Sequence, residues 1–296
     1  MFKLTQRRLL LLAVLLSGAG PVLVRDSPVG PSSTAFWRLA IALPFALWLG
    51  RLAFQQSRRD IGWALFAGIL LGGDLICWNN AILKTSVMEA TVLVMLFPII
   101  VAAVEIGFFG RSLSPRLLMG TAVAFVGTFV IATGASRGQS SLVGDLLALA
   151  AAGFFACSLL ISAQLCRRLD HRVVTVWVII GAALTALPVG LTESAIVPHS
   201  PYGWAYLTFY GALTFGSYAL YNNALANLST TLVAVSGYGQ PVIATGLALV
   251  LLGEIPTLGA LLGAAIIVIG LALATIEPDA KSESTDIPSP RMRGEG

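Results

Sequence analysis

The amino-acid sequence predicts an all-α, polytopic membrane protein of ten transmembrane helices, built as two inverted five-helix repeats. Three observations predict it. Apolar runs of about 20 residues, each long enough to cross a bilayer, recur along almost the whole chain. Basic residues gather at the ends of alternate runs. One phrase, CWNNA at 77–81, returns as LYNNA at 220–224.

Composition sets the class. The chain has 296 residues, 57% hydrophobic and 11% charged, with a mean hydropathy of +0.87. Soluble domains carry about 25% charged residues. Each run is continuously apolar rather than alternating over about ten residues, so helices are expected and not a barrel. The net charge of +4 does not point to nucleic acid, because the basic residues sit at the ends of apolar runs, where they orient helices. Cys77, Cys157 and Cys166 fall in or beside apolar runs without paired spacing, and read as small core residues. His171 and His199 fall between runs, so no metal site and no cofactor is expected.

The first run, near 8–24, follows Lys3, Arg7 and Arg8 and ends in the small residues SGAG, as a signal peptide would. Hydrophobic segments continue to residue 276, so it reads as an uncleaved first helix. The second span, near 31–50, carries Arg38, and the third, near 61–82, carries Asp74 and the doubled asparagine. The fourth, near 87–108, opens on Glu89 and contains Pro98; the fifth lies near 115–134. The sixth to tenth follow near 143–165, 173–191, 203–224, 229–252 and 257–276, with Pro241 inside the ninth. Residues 278–296 are polar and rich in Pro and Ser, the composition of a disordered tail.

Positive charge orients the spans. With the N-terminus cytoplasmic, the inner segments hold Lys3, Arg7, Arg8, Arg51, Arg58, Arg59, Arg111, Arg116, Arg167, Arg168, Arg172, Lys281, Arg291 and Arg293, fourteen in all. The outer loops hold three, Arg25, Lys84 and Arg137, and Arg38 lies within a span. Excess Lys and Arg marks the cytoplasmic side, so both termini are expected inside.

The doubled asparagine is part of a longer repetition. A displacement of 143 residues maps Ser86 to Ser229, Pro98 to Pro241, Gly110 to Gly253, Gly120 to Gly263 and Gly127 to Gly270. The chain therefore divides into a first unit, 1–137, and a second, 138–277, ahead of the 278–296 tail. Five spans is an odd number, so the second unit enters the membrane from the opposite side. Inverted repeats of this kind mark secondary transporters, with the binding site near the midplane between repeats.

The stretches NNAILKTSVMEATVLVMLFPIIVAAVEIGFFGRSLSPRLLMGTAVAFVGTFVIATG and NNALANLSTTLVAVSGYGQPVIATGLALVLLGEIPTLGALLGAAIIVIGLALA each resemble the second part of an EamA unit of the drug/metabolite transporter superfamily. STAFWRLAIALP, with Arg38, resembles the first part of one. In one place the chain departs from the pattern: Gly110-Arg111 lacks the acidic residue that Glu254 supplies in the second unit. Within the superfamily the chain is most similar to YddG-type exporters of aromatic amino acids. That resemblance implies a bacterial-type inner membrane and outward transport of an amino acid or a related small metabolite.

Several residues are candidates for the pathway. Asp74 lies past the middle of its span, where a carboxylate facing lipid is expensive. It binds a substrate ammonium, takes up a coupling proton, or pairs internally with Arg38. Arg38 in turn either receives a substrate carboxylate or serves as support at the outer interface. Trp78 shares a helix face with Asp74; Trp78-Asn79 and the images Tyr221-Asn222 are candidate mouths of one pathway. Asn80 and Asn223 are better explained by ties to backbone and neighbouring helices. Glu89 either complements a helix dipole or lines the outer vestibule. Ser236, Tyr238 and Gln240 precede Pro241 on what reads as a polar half of the cavity, while Met95, Leu96 and Phe97 before Pro98 form an apolar half. The prolines are expected to kink their helices.

The expected function is a secondary transporter, not an enzyme, with no ATP-binding motif and only the lipid bilayer and the cargo as partners; a monomer is the expected state. Two other readings stand beside it: a carrier of the same superfamily for another cargo, or a proton-coupled antiporter using Asp74. A membrane enzyme would need clustered His, Asp or Glu at the water boundary, and the loops offer none.

Overall fold

The computed structural model describes residues 2–50, 56–85, 87–133, 141–252 and 255–275, without the side chains of 2–4, 87–89, 248, 251 and 252. Glu254 and the 278–296 tail lie outside the described residues, as does the side chain of Glu89. Among the described residues every regular element is a helix: α1 (Phe2–Gly18), α2 (Gly20–Arg25), α3 (Pro31–Leu49), α4 (Arg58–Lys84), α5 (Val87–Val94), α6 (Phe97–Gly107), α7 (Pro115–Thr133), α8 (Leu142–Cys166), α9 (His171–Gly190), α10 (Pro201–Asn227), α11 (Thr230–Ser236), α12 (Gly239–Leu252) and α13 (Leu258–Thr275).

These helices make the ten expected spans, three of them broken. Eight stretches are long and apolar enough to cross a membrane, with α1–α2 joined as Thr5–Arg25 and the second part of α5 joined to α6 as Ala90–Gly107. The other two spans are α10, whose Tyr, Thr, Ser and Asn residues lower its hydropathy, and α11–α12, which is interrupted. The first span, expected as one helix, breaks at Ala19 just before Pro21. The fourth and ninth break at Met95-Leu96 and at Gly237-Tyr238. Pro98 and Pro241 thus lie in the first turn of α6 and α12, where a missing N–H costs nothing, so each helix restarts there instead of kinking.

The repeat is visible in detail. Ser57 caps α4 and Ser200 caps α10, each accepting a backbone hydrogen bond, and both helices are 27 residues long. Gly68 on α4 meets Gly181 on α9, where an added Cβ would fall 2.9 Å from the Gly181 Cα. Gly211, the image of Gly68, meets Ile41 on α3, where an added Cβ would fall 2.6 Å from Ile41 Cγ2. The third helix of each unit thus crosses the second helix of the other, and the two units interleave. At the periphery α7 and α13 pack through Gly120, Gly127, Gly263 and Gly270, whose missing side chains let two backbones touch.

The asparagines close this lattice. Asn79 Nδ2 donates to the Pro31 carbonyl at 2.7 Å, and its image Asn222 donates to Thr175 Oγ1 at 3.0 Å. Each bond ties the third helix of a unit to the second helix of the same unit at corresponding positions. Asn80 donates to Ser32 Oγ and to the Ile76 carbonyl, and Asn223 to Gln6 Oε1. Both doubled asparagines are therefore helix ties.

Candidate functional site

A cavity of about 390 Å³ lies between the two units. Its floor is formed by Phe97, Phe155, Tyr221 and Gln240, with Phe97 and Gln240 beside the breaks in the fourth and ninth spans. Its rim is formed by Arg25, Ile82, Thr91 and Ala132, which sit at helix ends on the side away from Phe2 and Thr275. The Arg7 guanidinium donates to the Thr275 carbonyl at 2.8 Å, which ties the start of α1 to the end of α13 on the opposite side.

Arg38 is placed by the start of its helix. The α3 N-terminus begins at Pro31, and its Ser32 and Ser33 N–H groups donate to the Glu193 carboxylate at 2.8 and 2.9 Å. A carboxylate there satisfies orphan donors and complements the helix dipole. Two turns on, Arg38 is 8% exposed. A buried cation needs partners, and α10 supplies them. Arg38 Nη1 donates to the Tyr210 hydroxyl, Nη2 donates to the Tyr218 hydroxyl at 3.3 Å, and the guanidinium carbon lies 4.7 Å from the Tyr210 ring centre. Its Nε has no hydrogen-bond partner. The side chain is thus held in the cavity wall with donor capacity to spare.

Asp74 faces the same space from α4 and is 7% exposed. Arg38 lines the same space from α3. No ion pair joins them, and no described group donates a hydrogen bond to the Asp74 carboxylate. Leu75, Trp78 and Ile82 continue this face of α4 towards the rim. On α10 the residues Tyr210, Thr214, Ser217, Tyr218 and Tyr221 recur at helical spacing and supply a polar wall. At the floor, Tyr221 meets Ser17 of α1 at 3.4 Å and accepts from Gln240 of α12 at 3.3 Å. The opposite wall is apolar: Val94, Met95, Phe97, Ile131 and Phe155, with Phe97 and Phe155 edge-to-face at 4.7 Å.

Of the candidates read from sequence, the cavity gathers Arg38, Asp74, Trp78, Tyr221, Gln240 and Pro241. Asn79 and Asn222 are turned into the helix lattice. Ser236 donates to the Val233 carbonyl, Tyr238 is fully buried with no partner for its hydroxyl, and Pro98 is buried behind Phe97.

A sequence profile of the EamA-like transporter family matches residues 8–133 and again residues 142–276. The chain belongs to the EamA-like transporter family. It is a multi-pass membrane protein of the drug/metabolite transporter superfamily. A solved crystal structure of a protein superposes on 92% of this chain and 96% of its own, with a TM-score of 0.78 at 22% identity, a likeness in fold. No curated protein sequence matches.

For an EamA-like transporter, a cavity between interleaved inverted units is where cargo is expected. Sequence reasoning missed the tyrosine pair that holds Arg38. The signal was present, since Tyr210, Ser217, Tyr218 and Tyr221 share one face of an otherwise apolar helix. It also missed Glu105, a carboxylate in the fourth span that is 1% exposed.

Proposed function

We propose that this EamA-like transporter exports amino acids with aromatic or other neutral side chains across the inner membrane, its termini cytoplasmic, by alternating access between the inverted units. One observation carries this reading: a buried guanidinium and a buried carboxyl group, Arg38 and Asp74, face one cavity without an ion pair between them. A zwitterion answers both. Its carboxylate meets the guanidinium, whose planar fork suits a carboxylate, and its ammonium meets Asp74. Its side chain then lies against Met95, Phe97, Phe155 and Ile131. The volume of about 390 Å³ falls within the range of small-molecule sites, roughly 300–1,000 Å³. One chain holds both units and the whole cavity, so a monomer suffices.

Export is supported by the sequence resemblance to YddG-type exporters, and orientation by the charge pattern, which assigns fourteen Lys and Arg residues to the inner segments and three to the outer loops. Few ionisable groups line the cavity, which favours a facilitator; Asp74 is the residue a proton-coupled antiporter would use. A phosphorylated cargo would want several cations, and the described wall offers Arg38 and, at the rim, Arg25.

Thermal stabilisation of the purified protein by a ligand panel tests the cargo. Phenylalanine should stabilise it, whereas phenethylamine, without the carboxylate, and phenylpropionate, without the amine, should each do so only at much higher concentration. Equal stabilisation by all three would remove the zwitterion from the account.

A further inference from the structure

We propose that Glu105, Arg111 and Thr231 lock the end of the bundle opposite the rim, and that Glu105 is the positioning residue whose release opens a second vestibule there. The inference rests on the chain being a transporter and not on the identity of its cargo.

The lock joins the two units. Glu105, on α6, accepts from Thr231 of α11 through one carboxylate oxygen and from Arg111 through the other, at 2.5 Å. Thr231 is fully buried, while Arg111 is 30% exposed. Gly110, with φ +60°, turns the chain so that the Arg111 N–H also returns to the Glu105 carbonyl at 3.0 Å. This gives the departure at Gly110-Arg111 a physical reason. Where the second unit has Gly253-Glu254, the first needs a cation to neutralise a carboxylate on its own preceding helix. Both partners sit at the end where α6 finishes and α11 begins, away from the rim.

The inverted repeat says what lies behind the lock. Ile82, Thr91, Met95, Ala244 and Thr245 line the present cavity. Displaced by 143 residues, they become Leu225, Ala234, Tyr238, Val101 and Ala102. All five images are buried, none more than 5% exposed. They are the walls of the same cavity in its collapsed form, on the other side of the midplane. Tyr238 adds an independent sign. Its hydroxyl is buried without a partner, which is costly in a static core. Water or cargo entering from the locked end would satisfy it.

Cysteine reactivity tests the lock. In a background with Cys77, Cys157 and Cys166 replaced, Ala234→Cys reports the locked end and Ile82→Cys the rim, each read by its rate of modification with N-ethylmaleimide in proteoliposomes. A thiol reacts as thiolate, so the rate follows access to water. With the lock intact, Ile82→Cys should react quickly and Ala234→Cys slowly. Adding Glu105→Gln, or Thr231→Val if that variant folds poorly, should speed Ala234→Cys about ten- to hundred-fold, the shift that losing one hydrogen bond to a charged group allows. The same change should slow Ile82→Cys, and Glu105→Asp should restore part of the original pattern. An unchanged Ala234→Cys rate would overturn the proposal. So would both rates rising together, which is what a merely loosened bundle would show.

Discussion

Replacing Gly127 with alanine probes the brace that carries no cargo. Its Cβ would stand 2.7 Å from the Ile267 nitrogen and 2.8 Å from the Gly263 carbonyl oxygen, backbone atoms that cannot turn aside. Ordinary contact begins at 3.4 Å, so α7 and α13 must part by about 0.7 Å at this crossing. A gap of about 0.5–1 Å already forfeits roughly a quarter to a half of each dispersion contact, and the neighbours of Gly127 along the seam lose theirs too. Overpacking of this kind costs about 1–3 kcal/mol. The apparent Tm in detergent should fall by several degrees, while transport per folded molecule stays unchanged, because Gly127 does not line the cavity. Gly263 faces Gly127 across the seam. Adding Gly263→Ala should therefore cost less than it does alone, since the first change has already separated the helices. Wild-type stability in Gly127→Ala would refute the close-packed seam. A loss of transport at normal stability would refute its separation from the pathway.

Other perturbations reach the cavity itself. Arg38→Lys keeps the charge but gives up the planar fork that meets a carboxylate with two parallel N–H groups, so affinity for a carboxylate-bearing cargo should fall about ten-fold or more; competition binding reads this, and unaltered affinity would remove Arg38 from recognition. Trp78→Ala and Tyr221→Ala should each change the transport rate if these aromatics narrow the rim side and the floor of one pathway; unchanged rates at normal expression would sink that role. Asn222→Ala should lower stability by about 0.6–1.5 kcal/mol through the lost bond to Thr175, with transport per folded molecule retained. A transport defect at normal stability would return Asn222 to the pathway.

Much of this architecture is legible in the chain because a bilayer leaves few options. Apolar runs had to be helices, and the 143-residue displacement paired Pro98 with Pro241, beside which the fourth and ninth spans break, and Gly120 and Gly127 with Gly263 and Gly270, through which α7 and α13 pack. Asp74, Arg38, Trp78, Tyr221 and Gln240 were legible as polar or aromatic groups in apolar company, and the cavity gathers them. The asparagines show where reading stops. Asn79 and Trp78 are adjacent, yet a rotation of 100° per residue sends one into the lattice and the other to the cavity. Which of two neighbours faces the pathway depends on the helix crossings, and those are set by distant pairs such as Gly68–Gly181 and Gly211–Ile41. The break before Pro21 and the pairing of Glu105 with Arg111 and Thr231 are equally tertiary facts. A proline near the end of a short apolar run and a lone carboxylate in a long one do not name their partners.

The most direct test of the account is uptake of labelled phenylalanine into proteoliposomes, with and without an imposed pH gradient, by the wild-type protein and by Asp74→Asn. The account predicts saturable uptake that ignores the gradient, competed by other neutral amino acids and greatly reduced in Asp74→Asn. Absence of uptake for every amino acid, or undiminished uptake in Asp74→Asn, would contradict it.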